Sequence, residues 1–515
     1  MYSVISTAAI HGLECRFVCV EADVSDGLPL FEMVGYLSSE VREAKERVRT
    51  AMKNSGFLLP PKRVTVNLSP IHLRKEGNSY DLPVAIAVMA ALGIIQARDL
   101  NSFLVLGEVG LDGKIHSTSG ILPMVYAAKK NGFKACMVPE ENRNEALIVE
   151  NIKVIGVRSL TDAVRFFNTG EGEREYSRGE DCPSSTEEKK QPDFADISGQ
   201  ESLKRACEVA VAGMHNFLMI GPPGSGKTML ASRIPGILPQ MSREEQMEIS
   251  KIYSIAGMLP ESGGLLQQRP FRSPHHTCTL SGMCGGGRVP VPGEVTLAHR
   301  GVLFLDELPE FRKTVLETLR QPLEDRRITL VRQGGSYEYP ADFMLVCACN
   351  PCRCGYYPDR NRCSCSPKQV GDYLGKISRP LLDRIDICVE APRVSFAELT
   401  DGEREKRESS ADIRKRVARA QEIQAQRYRS CSFSFNAQLK GPDVEKYCRL
   451  NEKQRALMER AFEHFSLTAR GYYKILKVAR TIADLQGNDN ISMTDLAEAI
   501  SYKSLDDRYF GEVIR

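Results

Sequence analysis

Apolar and polar positions change period along the chain, and the changes divide it into four stretches. In residues 1–167, short apolar runs at Phe17–Val20, Val64–Leu68 and Phe103–Leu106 predict strands. Ser39–Asn54 and Asp81–Leu92 read as helices, with Asp81 a candidate cap for the second. The longest apolar run, Leu82 to Ile95, is too short to span a bilayer and reads as a buried helix. Residues 168–192 are polar, charged and almost free of large apolar groups, so they cannot bury enough surface to fold and read as a linker. Residues 193–400 alternate strand-like with helix-like segments, the pattern of an α/β domain. Residues 401–515 are mostly helical in pattern, and no internal repeat is visible.

Length agrees with this division, because 515 residues exceed what one core can organise. Hydrophobic content of 42% and charged content of 26% are ordinary for a soluble globular chain. A net charge of +3 gives no ground for nucleic-acid binding, which would need local basic surfaces. The N-terminus lacks the basic start, apolar run and small-residue site of a signal peptide. Sixteen cysteines without such a peptide imply reduced thiols in a cytoplasmic protein that does not enter a membrane, with metal binding open where they cluster.

The candidate chemistry starts at an apolar strand, Phe217–Ile220. Gly221, Pro222, Pro223, Gly224, Ser225, Gly226, Lys227 and Thr228 follow it, and a helix-like segment comes next. Strand, glycine-rich loop and helix together are the setting of a phosphate-binding loop. Its glycines let backbone N–H groups turn toward phosphate, and the helix N-terminus adds a favourable dipole. Lys227 can reach the β- and γ-phosphates of ATP, and the Thr228 hydroxyl can ligate Mg²⁺. Some 80 residues later the run Gly301–Glu307 is a buried strand ending in two carboxylates. Asp306 would hold the Mg²⁺ shell, and Glu307 would orient or deprotonate the attacking water. A third strand, Phe343–Ala348, ends near Asn350, whose side chain could contact the γ-phosphate; an Asn before Pro is also a common turn former.

These three motifs resemble an AAA+ ATPase. The segments FRSPHHT (271–277), PGEVTLAHRGVLFLDELPEF (292–311), LRQPLED (319–325) and NPCRCG (350–355) resemble the magnesium-chelatase-like ATPases of the YifB/ComM type over nearly the whole chain. Arg353 stands where that family usually has Pro, and Arg379 where it usually has Gly. The resemblance implies an arginine finger at Arg384, acting on ATP in a neighbouring subunit, and a second sensor arginine at Arg470 in a helical lid. A finger acting in trans implies a ring, and the family's homo-hexamer is the expected assembly. Without the resemblance, Arg384 reads as a surface arginine paired with Asp383 or Asp386, and Arg470 as an ordinary residue at a helix start.

Other features bear on what such a ring would act on. Ile328–Tyr339 is two strand-like runs around Gly334-Gly335, a β-hairpin signal, and related helicases carry a pore hairpin at this place. Arg332 near its tip could grip a phosphate backbone. A glycine-rich insertion around Gly285–Arg288 is expected to be mobile. Both also allow the plainer reading of structural loops. Arg414, Lys415, Arg416 and Arg419 start a basic helix that could contact DNA or be a solvated face. Cys352, Cys354, Cys363 and Cys365 form CxC-x8-CxC and could close a structural Zn²⁺ site, while Cys347 and Cys349 read as core thiols.

Residues 75–79 and 106–142 resemble the proteolytic domain of Lon protease, an S5-like α+β fold, with Ser79 at the nucleophile's place. The partner lysine is expected near position 122, which is Leu122, and a serine without a base is a poor nucleophile. The fold class expected is therefore multidomain α/β: an S5/Lon-like domain without protease activity, a P-loop AAA+ core and a helical lid. The leading function is an ATP-driven ring motor on single-stranded or branched DNA, a branch-migration helicase in recombination or natural transformation. The alternative is a magnesium-chelatase-type remodelling ATPase for metal insertion. The Lon-like domain argues against it, because that subunit class resembles only the AAA+ part.

Overall fold

The computed structural model describes residues 1–96, 99–170, 192–260, 263–288, 290–332, 335–394 and 407–510. Most of the expected linker, residues 171–191, lies outside them, whereas Asn168 and Thr169 still belong to the helix Leu160–Thr169.

The first 170 residues build a mixed seven-stranded sheet. Its order is Leu30–Val34, Arg63–Ser69, Glu14–Ser25, Tyr2–His11, Phe103–Val105, Ala135–Pro139 and Lys153–Val157. The two long strands pair antiparallel, from Tyr2 opposite Asp23 to His11 opposite Glu14. Ser39–Asn54 is helical as expected, and the Ser38 hydroxyl caps it by accepting the Val41 N–H. Asp81–Ala91 is buried along nearly its whole length, which explains its uninterrupted apolar run.

Asp81 does not cap that helix. The cap position is Tyr80, and Asp81 is fully buried, with its carboxylate accepting from Arg47 at 2.7 and 2.8 Å. Burial raises the Asp81 carboxyl above its ordinary range and the arginine opposes this. An acidic residue at a helix start suits the dipole equally well when its partner is a distant side chain.

The nucleotide-loop region is a five-stranded sheet in the order Phe271–Arg272, Val302–Leu305, Met344–Cys349, Phe217–Ile220 and Ile387–Glu390, with every pair parallel. All four residues of Phe217–Ile220 and of Val302–Leu305 are buried, as strands covered by helices on both faces must be. The helical segment after the loop is shorter than expected: it runs Lys227–Ala231, and a second short helix, Ile234–Ile237, follows with Pro235 in its first turn.

Helices Ser410–Arg427, Glu452–His464, Ala469–Gln486 and Met493–Phe510 form the C-terminal region. They share one core with the sheet through Leu203, Cys207, Val417, Ile475 and Ile482. The last helix is tied to the sheet edge, where the Tyr509 hydroxyl donates to Glu390 at 3.0 Å. The basic helix is occupied internally: Arg414 donates to the Gly236 carbonyl, Arg416 pairs with Glu208 and Glu408, and Lys415 pairs with Asp412. Arg414 and Arg416 are thus engaged within the protomer, while Lys415 stays exposed beside Asp412.

Candidate nucleotide-hydrolysis site

A parallel sheet gathers the C-terminal ends of its strands at one edge, where ligands of α/β proteins bind. Here Ile220 leads into the glycine loop, Leu305 into Asp306 and Glu307, and Cys349 into Asn350. Residues more than a hundred positions apart thereby meet. The Lys227 ammonium donates to the carbonyls of Gly221 and Pro222 at 2.8 and 3.0 Å, and lies 3.3 Å from Asn350 Oδ1. Burial, the largest cause, lowers its pKa, and the Asp306 carboxylate works against this. A phosphate would give that ammonium a partner better than neutral carbonyls.

The loop itself is held open from outside. Gly226, at φ +79°, starts the helix, and the buried Gln200 amide donates to the Ser225 carbonyl at 2.5 Å and to the Pro392 carbonyl at 3.1 Å. The Thr228 hydroxyl donates to Asp306 Oδ2 at 2.6 Å. One hydroxyl and one carboxylate side by side, both hard oxygen donors, suit a Mg²⁺ ion that keeps waters and phosphate as its other ligands. Glu307 adopts a left-handed backbone at φ +53° and is half exposed, with His276 Nδ1 3.4 Å from its carboxylate. A non-glycine residue in that region is held there by its surroundings, as at many catalytic turns. His276 was not legible as a site residue, because only the fold carries residues 275–276 to the sheet edge.

Arg384 and Arg470 lie elsewhere. Both line a cavity of about 390 Å³ that also contains Asn216, Asp342 and Phe343, residues that precede the central strands. The Asn216 amide donates to the Arg384 carbonyl at 2.7 Å. This is the opposite pole of the sheet from Lys227, roughly 13 Å away for a four-residue strand. The Arg384 guanidinium pairs with Glu324 and donates to the Pro380 carbonyl, rather than pairing with Asp383 or Asp386 as its flanking sequence suggested. Arg470 is exposed and 3.6 Å from Asp383.

The hairpin forms as expected, Arg327–Arg332 against Gly335–Pro340, with Gly334 outside the described residues. Arg332 and Val331 at its end are exposed, while Tyr337 stacks on His11 at a ring distance of 4.2 Å. The glycine-rich insertion makes a small pairing of its own, Gly285 opposite Pro292 and Gly286 opposite Val291.

The sulfurs of Cys352, Cys354, Cys363 and Cys365 all lie within 4.8 Å of one another. Cys352 is 3.3 Å from Cys354 and 3.8 Å from Cys363, and Cys354 is 3.6 Å from Cys363. Zinc–thiolate bonds of about 2.3 Å at tetrahedral angles separate sulfurs by about 3.8 Å, so the four thiols fit that ion. Cys347 and Cys349 are buried core thiols.

Ser79 lines a cavity of about 300 Å³ with His11, Ser117 and Tyr337, and no lysine is among its lining residues. Leu122 is buried in a separate apolar cluster. Ser79 therefore has no lysine base within this cavity.

Three family models match the chain: magnesium chelatase, subunit ChlI, over residues 193–399; subunit ChlI of Mg-chelatase over 20–142; and the subunit ChlI C-terminal region over 407–503. Competence protein ComM of Haemophilus influenzae is 39% identical over 514 residues, covering 98% of this chain and 97% of that protein. YifB of Escherichia coli is 40% identical over 508 residues, with the same coverage of 98% and 97%. Lon protease 2 of Bacillus subtilis is 30% identical over 178 residues, 30% of this chain and 32% of that protease. Among the described residues no helix is long and apolar enough to cross a membrane.

Proposed function

The chain belongs to the magnesium chelatase subunit ChlI family of AAA+ ATPases, and from that premise we propose that it forms a homo-hexameric ring that uses ATP hydrolysis to move DNA. The observation that carries the ring is the separation of Lys227, Asp306, Glu307 and Asn350 from Arg384 and Arg470 at opposite poles of one sheet. A protomer cannot bring its own arginines to its own phosphates across that sheet. A neighbour stacked pole to pole can, and every site in a closed ring is then completed by the next subunit.

In each site Lys227 and the loop N–H groups bind the phosphates, and Thr228 and Asp306 would hold Mg²⁺, which would supply counter-charge for them. Asn350 orients the terminal phosphate or the water. Glu307 takes the water's proton at its exposed carboxylate once it parts from His276. Arg384 and Arg470 of the adjacent subunit spread donors over the charge that develops.

DNA is the substrate class that accounts for the exposed Arg332 at a hairpin end, and the full-length relative named for competence supports it. ATP turnover measured with and without single-stranded and forked DNA tests this. Turnover should rise several-fold with DNA, and Arg332→Ala should lose most of that stimulation out of proportion to any change in basal rate. DNA binding should weaken with salt, since each phosphate contact releases counterions. Equal turnover with and without DNA would favour a remodelling ATPase of the metal-insertion type instead.

A structural zinc ion held by Cys352, Cys354, Cys363 and Cys365 is part of the same reading. Elemental analysis of protein purified without chelator should find about one zinc per chain, and Cys354→Ser with Cys363→Ser should lose it. Metal-free wild-type protein would remove zinc from the account.

A further inference from the structure

Arg353 stands between the first two cysteines of the four-thiol loop. It lines a cavity of about 340 Å³ with Glu307, Glu310, Asn350, Tyr373 and Lys376. Two of these, Glu307 and Asn350, face the place where the terminal phosphate and the attacking water belong. Lys376 is engaged by Glu310 at 3.3 Å. Among the described residues the exposed Arg353 guanidinium has no hydrogen-bond or ion-pair partner. A free guanidinium beside a catalytic carboxylate is a ready anion contact, with up to five donors in a planar fork.

Its position is set by the loop. Cys352 is fully buried, and its sulfur is close to those of Cys354 and Cys363. Gly355, at φ +83°, passes so near the nucleotide loop that a Cβ there would meet Pro223 Cδ at 2.4 Å. The backbone around Arg353 is thus braced between the thiol cluster and the phosphate-binding loop. It lies three positions after Asn350, which already contacts Lys227.

We propose that Arg353 contacts the γ-phosphate of ATP bound in its own protomer, and that the four-thiol loop is the element that holds it there. Arg353 then acts in cis, at the opposite pole from Arg384 and Arg470. It recognises the one group that ATP has and ADP lacks. This rests on the ATPase reading of the loop and adds to it a residue that discriminates between nucleotides.

The experiment measures ATP and ADP binding to the full chain in the non-hydrolysing Glu307→Gln background. Adding Arg353→Ala should weaken ATP about ten- to a hundredfold, the range for hydrogen bonds to a charged group, and change ADP less than about twofold. Arg353→Lys should recover part of the loss, and zinc content should not change in either variant. Cys354→Ser with Cys363→Ser should lose zinc and show the same ATP-selective weakening, with little further loss on adding Arg353→Ala. Equal weakening of both nucleotides, or none, would overturn the contact. Loss of zinc in Arg353→Ala would assign the arginine to the fold of the loop and overturn it as well. Retained ATP preference in the zinc-free variant would overturn the role given to the loop. A parent that binds neither nucleotide would instead overturn the ATPase reading itself, and this proposal with it.

Discussion

Glu307→Gln is expected to bind ATP with near-native affinity and to turn it over at least a hundredfold more slowly than the wild-type chain, the loss typical of a missing general base. The amide keeps the shape of the side chain and its reach toward the water but cannot accept the proton. Nothing that grips phosphate changes, because Lys227, Thr228, Asp306 and Asn350 make their contacts without Glu307. The variant should therefore accumulate as an ATP-loaded ring, visible as a larger species in sizing or light scattering. Lys227→Ala should differ by failing to bind ATP at all, since the buried cation in the loop is gone. Wild-type turnover by Glu307→Gln would show that another group activates the water.

Arg384→Ala is expected to lower turnover on the order of a thousandfold, with or without DNA, as loss of an arginine finger does. The side chain is tied to Glu324 and to the Pro380 carbonyl in its own protomer, and these contacts lie away from the nucleotide loop. A purely structural arginine would therefore cost stability, and it would cost it in every subunit equally. The finger reading makes a sharper statement. When Arg384→Ala and Glu307→Gln chains are mixed, each Arg384→Ala subunit that is followed by a Glu307→Gln subunit regains a complete site, with its own Glu307 and its neighbour's Arg384. Activity should reappear in the mixture although neither variant has it alone. A mixture as inactive as its components would place Arg384 in a structural role.

What was legible in the sequence follows from how local each feature is. The glycine-rich stretch expected to bind phosphate is eight consecutive residues, and it lies where expected, between the strand Phe217–Ile220 and the helix Lys227–Ala231. Asp306 and Glu307 were legible because a four-residue apolar strand must end where its buried face ends. The hairpin at 327–340 was legible from two strand-like runs around a pair of glycines. Side-chain partners were not. Asp81 looks like a helix cap from its neighbours, but Arg47, 34 residues earlier, holds it. Arg414 and Arg416 look like a basic surface, but Gly236 and Glu208, roughly two hundred residues away in sequence, take them up. His276, Lys376 and Arg353 belong to segments with no nucleotide motif of their own. They reach the site only because the parallel sheet and the four-thiol loop deliver them to one edge. The partner of Arg384 was likewise hidden, since Glu324 lies 60 residues before it and meets it only when the strands align.

Strand movement tests the central claim most directly. The wild-type chain is incubated with Mg²⁺, ATP and a four-way DNA junction carrying one labelled strand, and the released strand is followed with time. The account predicts ATP-dependent release that is absent with Glu307→Gln and reduced with Arg332→Ala. ATP hydrolysis that proceeds normally while no strand is displaced from any forked or four-way junction would contradict it.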